Sequence, residues 1–188
     1  MNYEIRELSH SEFMPLYSQY KDIVFEEDHS FVLWDLLSKK ELESITSLKM
    51  EDGQRIYLAL FTSENEFVGW SWGFQENPTT FYMCNSAVLE DHRRKGQYSA
   101  LVERFISLLS QKGYQLVYSR HCCTNNAVII PKLKHGFIIS KMEVDDKFGV
   151  LIHLHYYFNK TRRKIMDYRS GQLKPDLEIK KIFNMDNE

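Results

Sequence analysis

Residues 88–109 read VLEDHRRKGQYSALVERFISLL, and the whole chain can be worked outward from them. An apolar, strand-like run ends at Val88 and Leu89. A short loop follows with Arg93, Arg94, Lys95 and Gly96. Then Tyr98, Leu101, Val102, Phe105, Leu108 and Leu109 recur at a spacing that puts all six on one face of a helix. The helix is expected to stop at Lys112-Gly113, where glycine supplies a left-handed cap.

A strand feeding a basic, glycine-containing loop that opens a helix is a physical device. The first helical amides have no internal partners, and the helix dipole points its positive end at the loop. Gly96 removes the Cβ that would keep a phosphate off the backbone, and the three basic residues add charge to a place that already favours anions. Local physics therefore reads a pyrophosphate cradle. An ordinary basic turn ahead of an amphipathic helix would read the same way. The Gly-Lys-Ser/Thr ending of a P-loop is missing, and so are the three spaced glycines of a dinucleotide fingerprint.

Arg93-Arg94-Lys95-Gly96-Gln97-Tyr98 resembles the Arg/Gln-x-x-Gly-x-Gly/Ala acyl-CoA signature of the GNAT N-acetyltransferase superfamily. Val88 stands five residues before Arg93, where such sequences place a valine whose backbone meets the pantetheine arm. Ser99, Ala100 and Leu101 continue as the family's helix does. Tyr98 departs from the pattern, since a small residue is usual there. A second match lies downstream, where Asn125 precedes Gly136-Phe137 by the family's spacing between its helix-initiating Asn and closing Gly-Phe. The resemblance spans roughly residues 50–158. It implies acetyl-CoA as acyl donor, held by Val88, Arg93, Arg94, Lys95, Gly96, Gln97, Tyr98, Ser99 and Asn125. It also implies an α/β fold of three layers, the GNAT fold, whose mixed, mostly antiparallel sheet of about seven strands lies between helices and splays between the fourth and fifth.

Composition sets the bounds. The chain has 188 residues, 43% hydrophobic and 14% aromatic, which suits one packed domain able to bury its own core. A net charge of -2 gives no global pull towards nucleic acid. No long apolar run suggests a signal peptide or a membrane span. Three cysteines, Cys84, Cys122 and Cys123, are an odd count with two adjacent, which reads as reduced and cytoplasmic. Residues 1–159 are expected to form the acetyltransferase domain, and 160–188 a basic helical tail of the same domain. The tail's Lys160, Arg162, Arg163, Lys164 and Arg169 could be a partner patch or the solvated side of a terminal helix. Residues after Pro175 are expected to fray. A homodimer is compatible with the sequence.

Along the chain, Tyr3–Glu7 reads as a strand, and the capping-box pair Ser9 and Glu12 opens a helix to about Val24. Phe31, Trp34, Leu37, Leu42, Ile45 and Leu48 give two short helices. Strands are expected over Arg55–Thr62, Phe67–Phe74, Thr79–Leu89, Gln115–His121, Phe137–Val144 and Val150–Phe158. A shorter helical segment is expected over Asn125–His135, bent or restarted at Pro131. His153 and His155 alternate on the last strand, but spacing offers no third ligand, so no metal is assigned.

The chemistry that the resemblance implies is direct attack of a primary amine, small-molecule or peptide, on the thioester in a ternary complex. A backbone amide near Val88 would hold the oxyanion. The family's usual acid, a Tyr between the Asn and the Gly-Phe, is replaced by Lys132. Two residues are therefore candidates for the proton chemistry: His121, for its position and its ordinary pKa of about 6.5, and Lys132, which burial could bring into a useful range. Tyr82 and Glu76 are weaker ones. Trp34, Trp70 and Tyr82, with Phe31, could line the acceptor pocket, although aromatic residues at such spacings also serve as core anchors. The absent Tyr leaves a second reading open, a non-catalytic acyl-CoA-binding sensor or interaction module.

Overall fold

The structure, a computed structural model, describes residues 2–25, 33–46 and 53–185. Phe31 lies outside the described residues, as do the side chains of Leu33, Trp34, Ile45 and Thr46.

Strand β1 (Tyr3–Leu8) leads into helix α1 (His10–Val24). Ser9 accepts from the Glu12 amide while the Glu12 carboxylate accepts from the Ser9 amide at 2.8 Å, so the capping box forms as its spacing predicts. Two short helices follow, α2 (Leu33–Leu36) and α3 (Lys39–Thr46). Three antiparallel strands come next: β2 (Arg55–Thr62), β3 (Phe67–Asn77) and β4 (Thr80–Val88). The order then runs α4 (Gln97–Gln111), β5 (Leu116–Cys122), α5 (Asn126–Lys134), β6 (Ile138–Asp145), β7 (Gly149–Tyr157), α6 (Lys160–Arg169) and α7 (Leu177–Ile182). The seven strands form one sheet in the order β1-β2-β3-β4-β5-β7-β6, with only β4 and β5 parallel.

The sheet buries both faces at its centre. On one side Leu101, Val102, Phe105 and Leu109 of α4 pack with Leu58, Phe81, Val117 and Leu154. On the other, Phe13 of α1 stacks on Tyr57 with ring centres 4.9 Å apart, beside Phe67 and Trp70. β2 lies between these two cores, which is why its sequence is a nearly unbroken apolar run and does not alternate.

Two expectations need correction. Of the bend or restart expected at Pro131, the restart does not occur: α5 is one helix through the proline, held on its inward face by Ile129 and Lys132, both buried. Of the residues after Pro175, those described, 176–185, hold a packed helix where fraying was expected. Asp176 caps α7, accepting from the Ile179 amide at 3.0 Å, Ile179 is buried, and Lys164 of α6 binds Glu178 at 2.6 Å. A helix N-cap directly after a proline is a start signal that outweighs nearness to the terminus.

Candidate active site

The site begins where β4 and β5 part. They pair only over Thr80, Phe81 and Tyr82 against Leu116, Val117 and Tyr118. Beyond that point β4 keeps β3 on one side, and among the described residues no strand pairs with its other edge. β4 is also bulged: Trp72 faces Asn85 while Gly73 faces Met83, so Cys84 is an extra residue. A bulge twists the strand and re-aims its side chains. Gly73 makes room for the approach, since a Cβ there would lie 2.2 Å from the Tyr82 carbonyl oxygen.

A cavity of about 1250 Å³ fills the gap. Its walls come from the end of α1 (Tyr17, Phe25), β4 (Tyr82 to Ser86), β5 (Arg120 to Cys122) and α5 (Asn125, Val128, Lys132). Phe148 and Leu151 close it from the β6–β7 turn, and Arg93 and Tyr98 from the head of α4.

The loop into α4 has the form its sequence predicts. Gly96 is the N-cap in left-handed conformation, φ 78°, with nothing within 4 Å of where a Cβ would stand. Among the described residues, no backbone acceptor meets the amides of Gln97, Tyr98 or Ser99; the first bond of the helix is Ala100 to the Gly96 carbonyl. Arg94 is also left-handed, φ 59°, a strained state for a side chain of its size. Arg93 folds inward, and its Nε donates to the Val88 carbonyl at 2.9 Å, tying loop to strand. Lys95 donates to the Asp91 carbonyl at 2.7 Å, and Gln97 to the Lys95 carbonyl at 3.0 Å. Tyr98 turns its ring into the core around α4, and its buried hydroxyl has no partner among the described residues. Burial holds that phenol protonated. Asn125 is the N-cap of α5, but its side chain makes no capping bond and lines the cavity.

Lys132 is 1% exposed. Its Nζ donates to Ser119 Oγ at 2.6 Å, lies 3.8 Å from Met83 Sδ, and stands 5.1 Å above the Phe137 ring. Among the described residues no carboxylate pairs with it, and burial lowers its pKa to about 7. Ser119 Oγ also meets His121 Nε2 at 2.8 Å. Burial, and secondarily the Lys132 charge, push the His121 pKa down to about 2. The ordinary imidazole pKa that made His121 attractive as a base is therefore not the one it has.

The remaining candidates fall in different places. Tyr82 lines the cavity and its hydroxyl accepts from Arg120 Nε at 3.4 Å. Trp70 is wholly buried under α1, edge-on to Tyr17, and does not line the cavity. Its Nε1 donates at 2.7 Å to Oδ1 of Asn85, which does line the cavity. Glu76 accepts from Tyr118. His153 binds Glu143 and His155 lies 3.5 Å from the Tyr157 hydroxyl; among the described residues no three His, Cys, Asp or Glu gather as metal ligands. Burial raises the Cys84 thiol to about 11, so it is not a thiolate at neutral pH.

Sequence reasoning missed Ser119 and Arg120. Ser119 shares strand alternation with His121, a signal that period-two reading could have used. Arg120 points to the other face, where it pairs with Glu143 at 3.3 Å and Asp145 at 3.5 Å.

The model of the acetyltransferase (GNAT) family matches residues 3–137. The chain belongs to the GNAT acetyltransferase family. As a member it is an acyltransferase, and the splayed sheet is the GNAT fold. Solved GNAT structures agree in fold. The ribosomal-protein-S18-alanine N-acetyltransferase of Escherichia coli has a TM-score of 0.59 at 18% identity, over 84% of this chain and 95% of that one. A GCN5-related N-acetyltransferase from Kribbella flavida has a TM-score of 0.63 at 12% identity, over 83% and 98%. A GNAT acetyltransferase from Elizabethkingia anophelis, solved with acetyl-CoA bound, has a TM-score of 0.56 at 16% identity, over 84% and 99%. A comparison with curated protein sequences gives no match. Among the described residues, no helix of this GNAT chain is long and apolar enough to cross a membrane.

Proposed function

We propose that this GNAT protein transfers an acetyl group from acetyl-CoA to a primary amine of a small molecule or peptide, by direct attack in a ternary complex, with Lys132 as the proton donor to the departing thiolate. The observation that carries the reading is Lys132 itself: a buried amine on the cavity wall, with no carboxylate partner among the described residues, whose pKa of about 7 lets it lose a proton and regain it near neutrality.

The unpaired amides of Gln97, Tyr98 and Ser99 and the cationic loop of Arg94 and Lys95 would hold the donor's pyrophosphate. The free edge of β4 would take its pantetheine arm, and an amide on that edge the oxyanion. Arg93 would hold the Val88 end of that edge in place. Asn125, with its side chain uncommitted, would meet the arm from α5. Tyr82 and Arg120 would line the acceptor end, and Trp70 would hold Asn85 on the cavity wall. One structural neighbour is named for an alanine of ribosomal protein S18 as its acceptor, which supports keeping a peptide amine beside small molecules. The three free cysteines favour a reducing, cytoplasmic setting.

Release of CoA thiol from acetyl-CoA, with and without a panel of amines and peptides, tests the proposal. Release that rises with at least one amine and yields its acetylated product is expected. Tight acetyl-CoA binding with no amine-dependent release across the panel would leave an acyl-CoA-binding module instead.

A further inference from the structure

Lys132, Ser119 and His121 make one chain of hydrogen bonds, 2.6 Å and 2.8 Å long, from a buried amine to an imidazole on the cavity wall. Ser119 is its middle member and is wholly buried. It reaches both partners because residues 119 and 121 alternate to the same face of β5, under α5. A serine hydroxyl has one proton and two lone pairs, so it can pass on only what it receives.

We infer that Ser119 and His121 form a proton wire that carries the acceptor amine's proton to Lys132, so that the proton lost by the nucleophile becomes the one given to the thiolate. The inference rests on the acetyl-transfer reading above.

The chain has two arrangements. With Lys132 charged, Nζ donates to Ser119, Ser119 donates to His121 Nε2, and the ring proton sits on Nδ1. With Lys132 neutral, its lone pair accepts from Ser119, Ser119 accepts from Nε2–H, and Nδ1 is bare. A proton taken from the acceptor nitrogen at Nδ1 converts the second arrangement into the first. The new N–C bond forms, the C–S bond breaks, and Nζ gives its proton to sulfur. Atoms and charge balance, and one exchange of ring protons with solvent resets the chain. A low basicity at His121 is what such a relay needs, since a charge that settled on the ring would stop there. Of the other titratable groups on the cavity wall, Tyr17 from α1, Tyr98 from α4 and Tyr82 and Cys84 from β4 are kept neutral by burial. Lys21, Asp22, Glu90, Arg93, Arg120 and Cys122 also line the cavity, but only burial is a cause of the lowered Lys132 pKa.

The wire ties the His121 tautomer to the charge on Lys132, which can be read without knowing the acceptor. Nitrogen NMR of 15N-histidine-labelled protein from about pH 5.5 to 9, a range that brackets the Lys132 titration, is expected to show a neutral His121 whose proton moves from Nδ1 to Nε2 as Lys132 titrates. Ser119→Ala should abolish the move and Ser119→Thr should keep it, with acetyl-CoA affinity by calorimetry unchanged in both as the check on folding. Turnover on any accepted amine should fall at least tenfold in Ser119→Ala and recover in Ser119→Thr. A tautomer that stays fixed through the Lys132 titration, or one that still switches in Ser119→Ala, would overturn the wire. Acetyl transfer with a fixed tautomer sinks the wire alone, whereas a switching tautomer with no transfer to any amine sinks the enzyme reading alone.

Discussion

Lys132, met among the described residues by a serine hydroxyl, a thioether and an aromatic ring, is costly to keep charged. Its folded pKa of about 7 lies below the ordinary 10.5, so between those values the unfolded chain holds a proton the folded chain lacks. Stability should therefore rise with pH across that window, and the penalty is full below about pH 7. Lys132→Met keeps the length and removes the charge. It should stabilise the fold at pH 7 by a few kcal/mol, since each tenfold loss of proton affinity on folding costs about 1.4 kcal/mol. At pH 10 it should change stability little; urea unfolding at the two pH values measures this. In the loop proposed to hold CoA, Gly96→Asp sets a charged side chain at a left-handed position beside the proposed phosphate site, and calorimetry should find acetyl-CoA binding lost. Arg93→Ala cuts the tie to Val88 and should weaken binding by about 1–3 kcal/mol, the scale of a hydrogen bond to a charged group. The sequence names Lys132 through what it replaces, but nothing local tells that it is buried. Ile129 and Lys132, three apart, share the inward face of α5, and with so short a helix only the tertiary neighbours decide which face that is.

At the scale of elements, the strands were legible because their patterns are strong. β2 is delimited in sequence as in structure, Arg55–Thr62, by a polar break at each end. β3 runs three residues beyond the expected Phe74, because Asn77 pairs with Thr80 across a turn that needs only Pro78 and Thr79. The bulge at Cys84 had no signal, since one extra residue in an apolar run changes no composition. Yet it and the parting of β4 from β5 shape the cavity. Gly73 is the hinge of that geometry. Gly73→Ala drives a methyl into the Tyr82 carbonyl and the Phe81 ring, so β4 must shift. A loss of about 2 kcal/mol or more in urea unfolding is expected, together with weaker acetyl-CoA binding. Full affinity in a folded Gly73→Ala protein would show that the bulge does not shape the site.

For the whole molecule, the loop at 93–96 and the later Asn125 to Gly136-Phe137 spacing carried the fold, and the family match over 3–137 agrees with them. Side-chain destinations were less legible. Trp70 belongs to the core beneath α1, because β3 presents alternate residues to that helix and the cavity opens beyond it. Ser119 went unnoticed because a lone serine in a strand has no pattern of its own. On the proposed path the proton that the acceptor amine loses passes to Lys132, so Lys132 has to start neutral, as it does above about pH 7. The most direct measurement is kcat/KM against pH for wild type and Lys132→Met on the same accepted amine. Wild type should rise through a limb near pH 7. Lys132→Met should lose that limb, rise only towards the acceptor's pKa, and run about a hundredfold slower at neutrality, with acetyl-CoA affinity unchanged. A limb near pH 7 that persists in Lys132→Met at wild-type rate would contradict a role for Lys132 in the proton transfer.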